Sequence, residues 1–70
     1  MPLPQDSEFV ARGRIRDVDG DRVTIYYSTP ADNSIIENIS RQCIIGNTWY
    51  QGWSGSVFQD RDKRIYFLAD

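Results

Sequence analysis

Histidine is absent from this chain, and cysteine occurs once, as Cys43. A single cysteine rules out an internal disulfide, and without histidine the zinc sites built on several Cys and His ligands cannot form. The same absences remove the commonest nucleophilic chemistry, because a catalytic thiol or hydroxyl generally needs an imidazole to activate it. Cys43 is accordingly read as a small core residue. Long apolar runs are missing as well, the longest being a few residues such as Ile65 to Ala69. No membrane span or secretory segment is expected, and a cytoplasmic location follows as the default expectation. Lysine is nearly absent: seven of the eight cations are arginine. Arginine suits planar stacking and bidentate contact, so this bias hints at interfaces.

With 70 residues the chain has room for one domain, in which about 60% of the unfolded surface becomes hidden. Natural domains of this size add disulfides, metals or subunits to a modest core, and only idealised packing or self-association is left here. An apolar fraction of 40% with nine aromatic residues is too rich for a disordered chain. Net charge is −2 and the isoelectric point about 4.8, which disfavours bulk attraction to nucleic acid or anionic membranes.

Residues 1–7 carry two prolines and no periodicity, and read as an extended N-terminal arm preceding a single domain over 8–70. From Glu8 to Val18 the pattern alternates. Phe9, Ala11, Gly13 and Ile15 fall on one face, while Arg12, Arg14 and Arg16 share the other. A second alternating run, Arg22 to Thr29, follows Asp19-Gly20, a strong hairpin signal. A two-residue Asp19-Gly20 loop would set arginines beside core residues. A three-residue loop, Asp19 to Asp21, instead pairs Ile15 with Ile25 and Gly13 with Tyr27, and stacks Arg16 by Thr24, Arg14 by Tyr26 and Arg12 by Ser28.

Ser34-Ile-Ile-Glu37 fits a helix capping box. In a helix over 34–45, Ile35, Ile36, Ile39 and Cys43 cluster within about 100° of arc, and Gly46 is a sensible stop. As a strand the same stretch mixes Glu37 and Arg41 with Ile35 and Ile39, a poorer pattern, although isoleucine favours strands. The closing stretch reads as a hairpin pairing Phe58 with Ile65, with Asp60 by Lys63. The expected architecture is therefore small α+β, β-β-α-β-β, with two antiparallel hairpins and one short helix. Its core would be Ile15, Ile25, Tyr27, Ile39, Phe58, Ile65 and Phe67. An all-β SH3-like or Sm-like small barrel is the alternative.

Asp17, Asp19 and Asp21 alternate as calcium-loop carboxylates do, but Arg22 stands where such a loop needs glycine and Ser28 where it needs glutamate. They read as turn residues, and no metal or cofactor is expected. Nothing marks a carboxylate pair, so the chain is expected to bind rather than catalyse. Chemistry by carboxylates or by a site completed on assembly is left open.

Two features point to binding. In Trp49-Tyr50-Gln51-Gly52-Trp53 successive strand residues face opposite ways, so at least one ring should be exposed, and Trp and Tyr are common interface anchors. Trp49, Tyr50 and Trp53 are the expected protein-interaction residues, for a partner protein or for self-association into a homo-oligomer. Arg12, Arg14 and Arg16 beside Tyr26 form a second candidate face, with the cations and ring that single-stranded nucleic-acid binders use. Trp49-Tyr50-Gln51-Gly52 also resembles the Trp-Trp-x-Gly strand of SH3 domains, over four residues. The later Pro and Tyr-Val segment of that family has no counterpart here, so a polyproline groove is not implied. Gly46-Asn47-Thr48-Trp49-Tyr50 resembles the entry to a lipocalin or avidin barrel, whose eight strands this chain is too short to supply.

Overall fold

Alternation of apolar and polar residues carries most of the chain into strands, and the computed structural model describes residues 3–70. Met1 and Pro2, the start of the expected arm, lie outside the described residues. The strands are β1 (Glu8–Asp19), β2 (Arg22–Thr29), β3 (Asp32–Ser40), β4 (Ile44–Ile45), β5 (Ser54–Gln59) and β6 (Ile65–Ala69). They form one mixed sheet in the order β3-β2-β1-β5-β6-β4, antiparallel except where β4 runs parallel to β6. The sheet does not close, because its edge strands β3 and β4 do not pair with each other. The fold is all-β. Ahead of β1, Ser7 turns back onto the Pro4 carbonyl, donating from its amide at 3.1 Å and its hydroxyl at 2.7 Å. Asp6 is tied to Arg61 at 3.0 Å.

The expected helix over 34–45 is a strand for most of its length. Residues Asp32–Ser40 pair with β2, placing Ile39 against Val23, Glu37 against Ile25 and Ile35 against Tyr27. Long-range pairing of β-branched residues outweighs the local capping signal. Glu37 is tolerated on the inner side because β3 is an edge strand, where it is only half-buried. Helical geometry survives in a single 3-10 turn, Arg41–Cys43, whose amide at Gln42 donates to the Ser40 hydroxyl at 3.3 Å. Cys43 is half-buried against the core.

The first hairpin keeps the expected pairs Gly13 with Tyr27, Arg14 with Tyr26 and Ile15 with Ile25. The extra residue lies in the strand and not in the turn. A bulge at Arg16 brings Asp17, not Arg16, opposite Thr24, and the loop shrinks to Gly20-Asp21. Gly20 has φ 61°, which a tight two-residue hairpin turn demands at its first position. A second bulge, at Val10 against β5, has larger consequences. Phe9 pairs with Phe58 and Arg12 with Ser56, so Phe9 lies on the same face as the arginines and is 57% exposed, contrary to the strict alternation that put it inside.

The closing hairpin is displaced by one residue from the expected register, pairing Phe58 with Tyr66 and Val57 with Phe67. Val57 and Phe67 thereby become fully buried, whereas Phe58 and Ile65 are half-buried. A one-residue slip exchanges the faces of a whole strand, which is why Val57 replaces Phe58 in the core. The core comprises Ala11, Ile15, Val23, Ile25, Tyr27, Ile39, Ile44, Val57 and Phe67.

The register is set by the turn, in which the Lys63 amide donates to the Asp60 carbonyl at 3.0 Å and Lys63 takes φ 67°. A side chain in this left-handed region costs about 1–2 kcal/mol. Lys63→Gly should therefore stabilise the domain by about 1 kcal/mol after the entropy of the freer unfolded chain is subtracted. Thermal denaturation reads this as a rise in Tm of about 4–8 °C. An unchanged or lower Tm would show that the turn is not strained.

Candidate functional site

The outer face of the sheet, opposite the core, carries the arginine–tyrosine group, and hydrogen bonds tie the aromatic segment to its border. Its central row runs across three pairings, Ile36 to Tyr26 to Arg14 to Ser54, and the next row sets Arg12 opposite Ser56 and Ser56 opposite Leu68. Tyr26 is 41% exposed and Ile36 is 52% exposed. Between the rows lies a recess of about 300 Å³ lined by Arg12, Arg14, Tyr26, Ser28 and Ser54.

The segment 49–53 meets the border of this face at a turn. The Trp53 amide donates to the Tyr50 carbonyl at 2.9 Å, and Gly52 takes φ 89°, the left-handed conformation that a type II turn requires at its third residue. The turn is then fastened to β1: the Gly52 amide donates to the Ile15 carbonyl at 2.8 Å and the Ile15 amide to the Trp53 carbonyl at 3.0 Å. Side chains complete the link. Arg14 Nη1 donates to the Gly52 carbonyl at 3.2 Å. Arg12 Nη1 donates to one Asp70 carboxylate oxygen at 2.9 Å and Arg12 Nη2 to the other, while the Asp70 carbonyl accepts the Trp53 indole N–H at 3.0 Å.

The three expected anchors have different environments. Tyr50 is 63% exposed and meets the Trp53 ring edge-on at 4.8 Å. Trp53 is half-buried, packed partly on the core. Trp49 also packs on the core, and the Arg41 guanidinium covers its ring 4.9 Å from the centroid. Of the expected arginine face, Arg12, Arg14 and Tyr26 are adjacent, while Arg16 is displaced into the bulge and Asp17 takes its place by Thr24. Strand alternation puts Phe9, and helical periodicity puts Ile36, on an apolar face; their exposure follows from a bulge and an edge position that no local pattern signals. Asp17, Asp19 and Asp21 do not converge: among the described residues no three acidic or cysteine side chains group as metal ligands do.

The double hydrogen bond from Arg12 holds the Asp70 carboxyl below its ordinary pKa, burial opposing this, and the coulombic pull of Arg12 adds to it. A depressed carboxyl contributes above its unfolded value and loses that contribution as pH falls through the folded value. The contact should therefore persist through mild acid. Titrating Asp70 by NMR should give a midpoint below that of an unpaired aspartate, and Arg12→Ala should return it to the ordinary value. Identical midpoints in the two proteins would refute the contact. Burial, and secondarily Glu37, raise the Tyr27 hydroxyl above its usual pKa.

No helix among the described residues is long and apolar enough to cross a membrane. The chain matches no protein-family model, no curated protein and no solved structure.

Proposed function

We propose that this chain is a non-catalytic protein-binding module whose contact surface is the outer face of the sheet, with Tyr50, Trp53, Tyr26 and Arg14 as its principal contacts and Trp49 as support beneath. One observation carries the reading. Arg14 on the Gly52 carbonyl, and Asp70 shared between Arg12 and Trp53, hold the aromatic segment against the border of the arginine row. Tyrosine and tryptophan rings beside arginine are the residue types that distinguish the energetic centre of a protein interface from ordinary surface.

A photo-reactive side chain at position 50 should give one discrete adduct in cells of the source organism. The same group at position 62, on the far hairpin turn, should give none, and Arg14→Glu should abolish the adduct at 50. Loss of a buried or stacked arginine contact of this kind weakens a complex by about 2 kcal/mol or more, roughly 30-fold. An adduct indifferent to Arg14→Glu would sink the reading.

The recess favours a second reading, binding of single-stranded nucleic acid, because it combines two guanidinium groups with the exposed Tyr26 ring. Fluorescence anisotropy with a labelled oligonucleotide decides it. Binding that weakens steeply with salt and is lost in Arg14→Glu supports it, and no binding at low salt removes it.

A further inference from the structure

The directions of the backbone groups on β3 follow from those of Ile15. Its N–H and C=O both bond to the 52–53 turn, so they face away from β2. In an antiparallel ladder the polar groups of successive residues alternate sides. Ile25, paired with Ile15, therefore directs its own groups toward β3 and Glu37. Ile36 and Asn38, on either side of Glu37, must then present their N–H and C=O to the free edge of the sheet. This edge is six regular residues long, Ile35 to Ser40, and holds no proline or lysine; its one inward-pointing charge, Glu37, is half-buried.

Charges lie symmetrically about Ile36. Two residues after it, the Asn38 carbonyl accepts Arg22 Nη2 at 3.0 Å, and the Asn38 side-chain oxygen accepts Arg22 Nε at 2.7 Å. Two residues before it, the Ser34 amide donates to Asp32 Oδ1 at 3.2 Å. Neither Arg22 nor Asp32 has an ion-pair partner among the described residues. A cation on one side of Ile36 and an anion on the other make the edge complementary to itself turned through 180°, the condition for an isologous two-fold interface.

We propose that β3 pairs antiparallel with β3 of a second copy, with Ile36 opposite Ile36 on the two-fold axis. Asn38 then faces Ser34 of the second copy, whose amide leaves Asp32 Oδ1 for the Asn38 carbonyl, and the released Asp32 comes alongside Arg22 of the first copy, twice by symmetry. The exposed Ile36 side chains of the two copies meet on the outer face, each flanked by the Tyr26 of its own chain. Because the axis is normal to the sheet, both outer faces point the same way, and a twelve-stranded sheet displays the binding surface twice. Such a dimer would engage a repeated or two-fold partner with the gain in apparent affinity that bivalency gives. The proposal shares Tyr26 with the protein-binding surface but rests on the edge groups of Ile36 and Asn38, not on Arg14 or Tyr50.

Sedimentation equilibrium of the intact chain should show a concentration-dependent dimer of twice 8.1 kDa. Ile36→Lys, which places two like charges on the axis, should make it monomeric while leaving the circular dichroism spectrum unchanged. Arg22→Asp and Asp32→Arg should each weaken the dimer at least tenfold, and the two together in one chain should restore it. In a Cys43→Ser background, Ile36→Cys should cross-link two chains on mild oxidation, because directly opposed residues lie about 5.5 Å apart. Glu37→Cys, displaced along the strand from its own symmetry mate, should not. A monomer at all concentrations overturns the proposal, as does a dimer unaffected by Ile36→Lys or cross-linked through position 37. None of these outcomes depends on the position-50 adduct, so the two ideas fail separately.

Discussion

Gly55→Ala should destabilise this domain by about 3 kcal/mol, the upper end of the usual cost of overpacking a core. A Cβ at position 55 would lie 2.4 Å from Cζ and 2.5 Å from Cε2 of Phe67, and 2.6 Å from the Leu68 carbonyl oxygen. The ring contact has little room for relief, because Phe67 is fully buried. The carbonyl contact is backbone, held in the β5–β6 ladder by the pairing of Gly55 with Ala69 and Ser56 with Leu68. Gly13, paired with Gly55 across the β1–β5 ladder, is similarly enclosed: its added Cβ would come within 2.8 Å of the Tyr26 carbonyl oxygen. The two glycines let β1 be clasped by β2 and β5 at the same place, so the arginine row and the aromatic turn can approach each other. Urea denaturation checks the prediction. Gly55→Ala should lower the midpoint severely, and combining it with Phe67→Leu should recover only part of the loss, because the backbone clash remains. A loss below about 1 kcal/mol would mean that the strands separate more easily than their burial implies.

The sequence makes the strands legible but hides their irregularities. Alternation over Arg12 to Ile15 and Ile25 to Tyr27 was enough to obtain three correct cross-strand pairs, because register is strongly specified where one face is buried. The bulges at Val10 and Arg16 leave no mark in a local window. Each arises from pairing with a partner strand distant in sequence, and each changes which face the neighbouring residues occupy. That is how Phe9 came to be expected inside and Arg16 in line with Arg14. The helix expectation failed for a related reason. Ser34 and Glu37 have the chemistry of a capping box, but β2 offers a ladder and an apolar face to the same residues, and a helix on the surface would leave that edge uncovered. Both halves of the candidate site are legible in the sequence, as separate features. Their union depends on Asp70 and Gly52, whose contribution is a carboxylate and two carbonyl oxygens brought close by the fold.

Phe67→Ala should leave much of the protein unfolded at physiological temperature. Removing a fully buried phenylalanine ring costs about 3–5 kcal/mol, through lost transfer free energy and the cavity left behind. At about 0.05–0.15 kcal/mol per residue, the total stability of a chain this short is about 4–10 kcal/mol, so one side chain accounts for a large share of it. Its position makes collapse of the cavity costly. Phe67 faces Val57 on one side and Ile44 on the other, and lies over Gly55, so β5, β6 and β4 all lose contact with the core through the same void. The turn carrying Trp49, Tyr50 and Trp53 runs between β4 and β5, and should lose its anchorage with them. Tryptophan fluorescence therefore reports the effect directly: the emission of Phe67→Ala should shift toward that of the urea-unfolded chain even without denaturant. Phe67→Leu, which retains most of the volume, should fold with a moderately reduced midpoint. If Phe67→Ala instead kept wild-type emission and a cooperative transition near the wild-type midpoint, the core would have to lie elsewhere than between β1, β5 and β6.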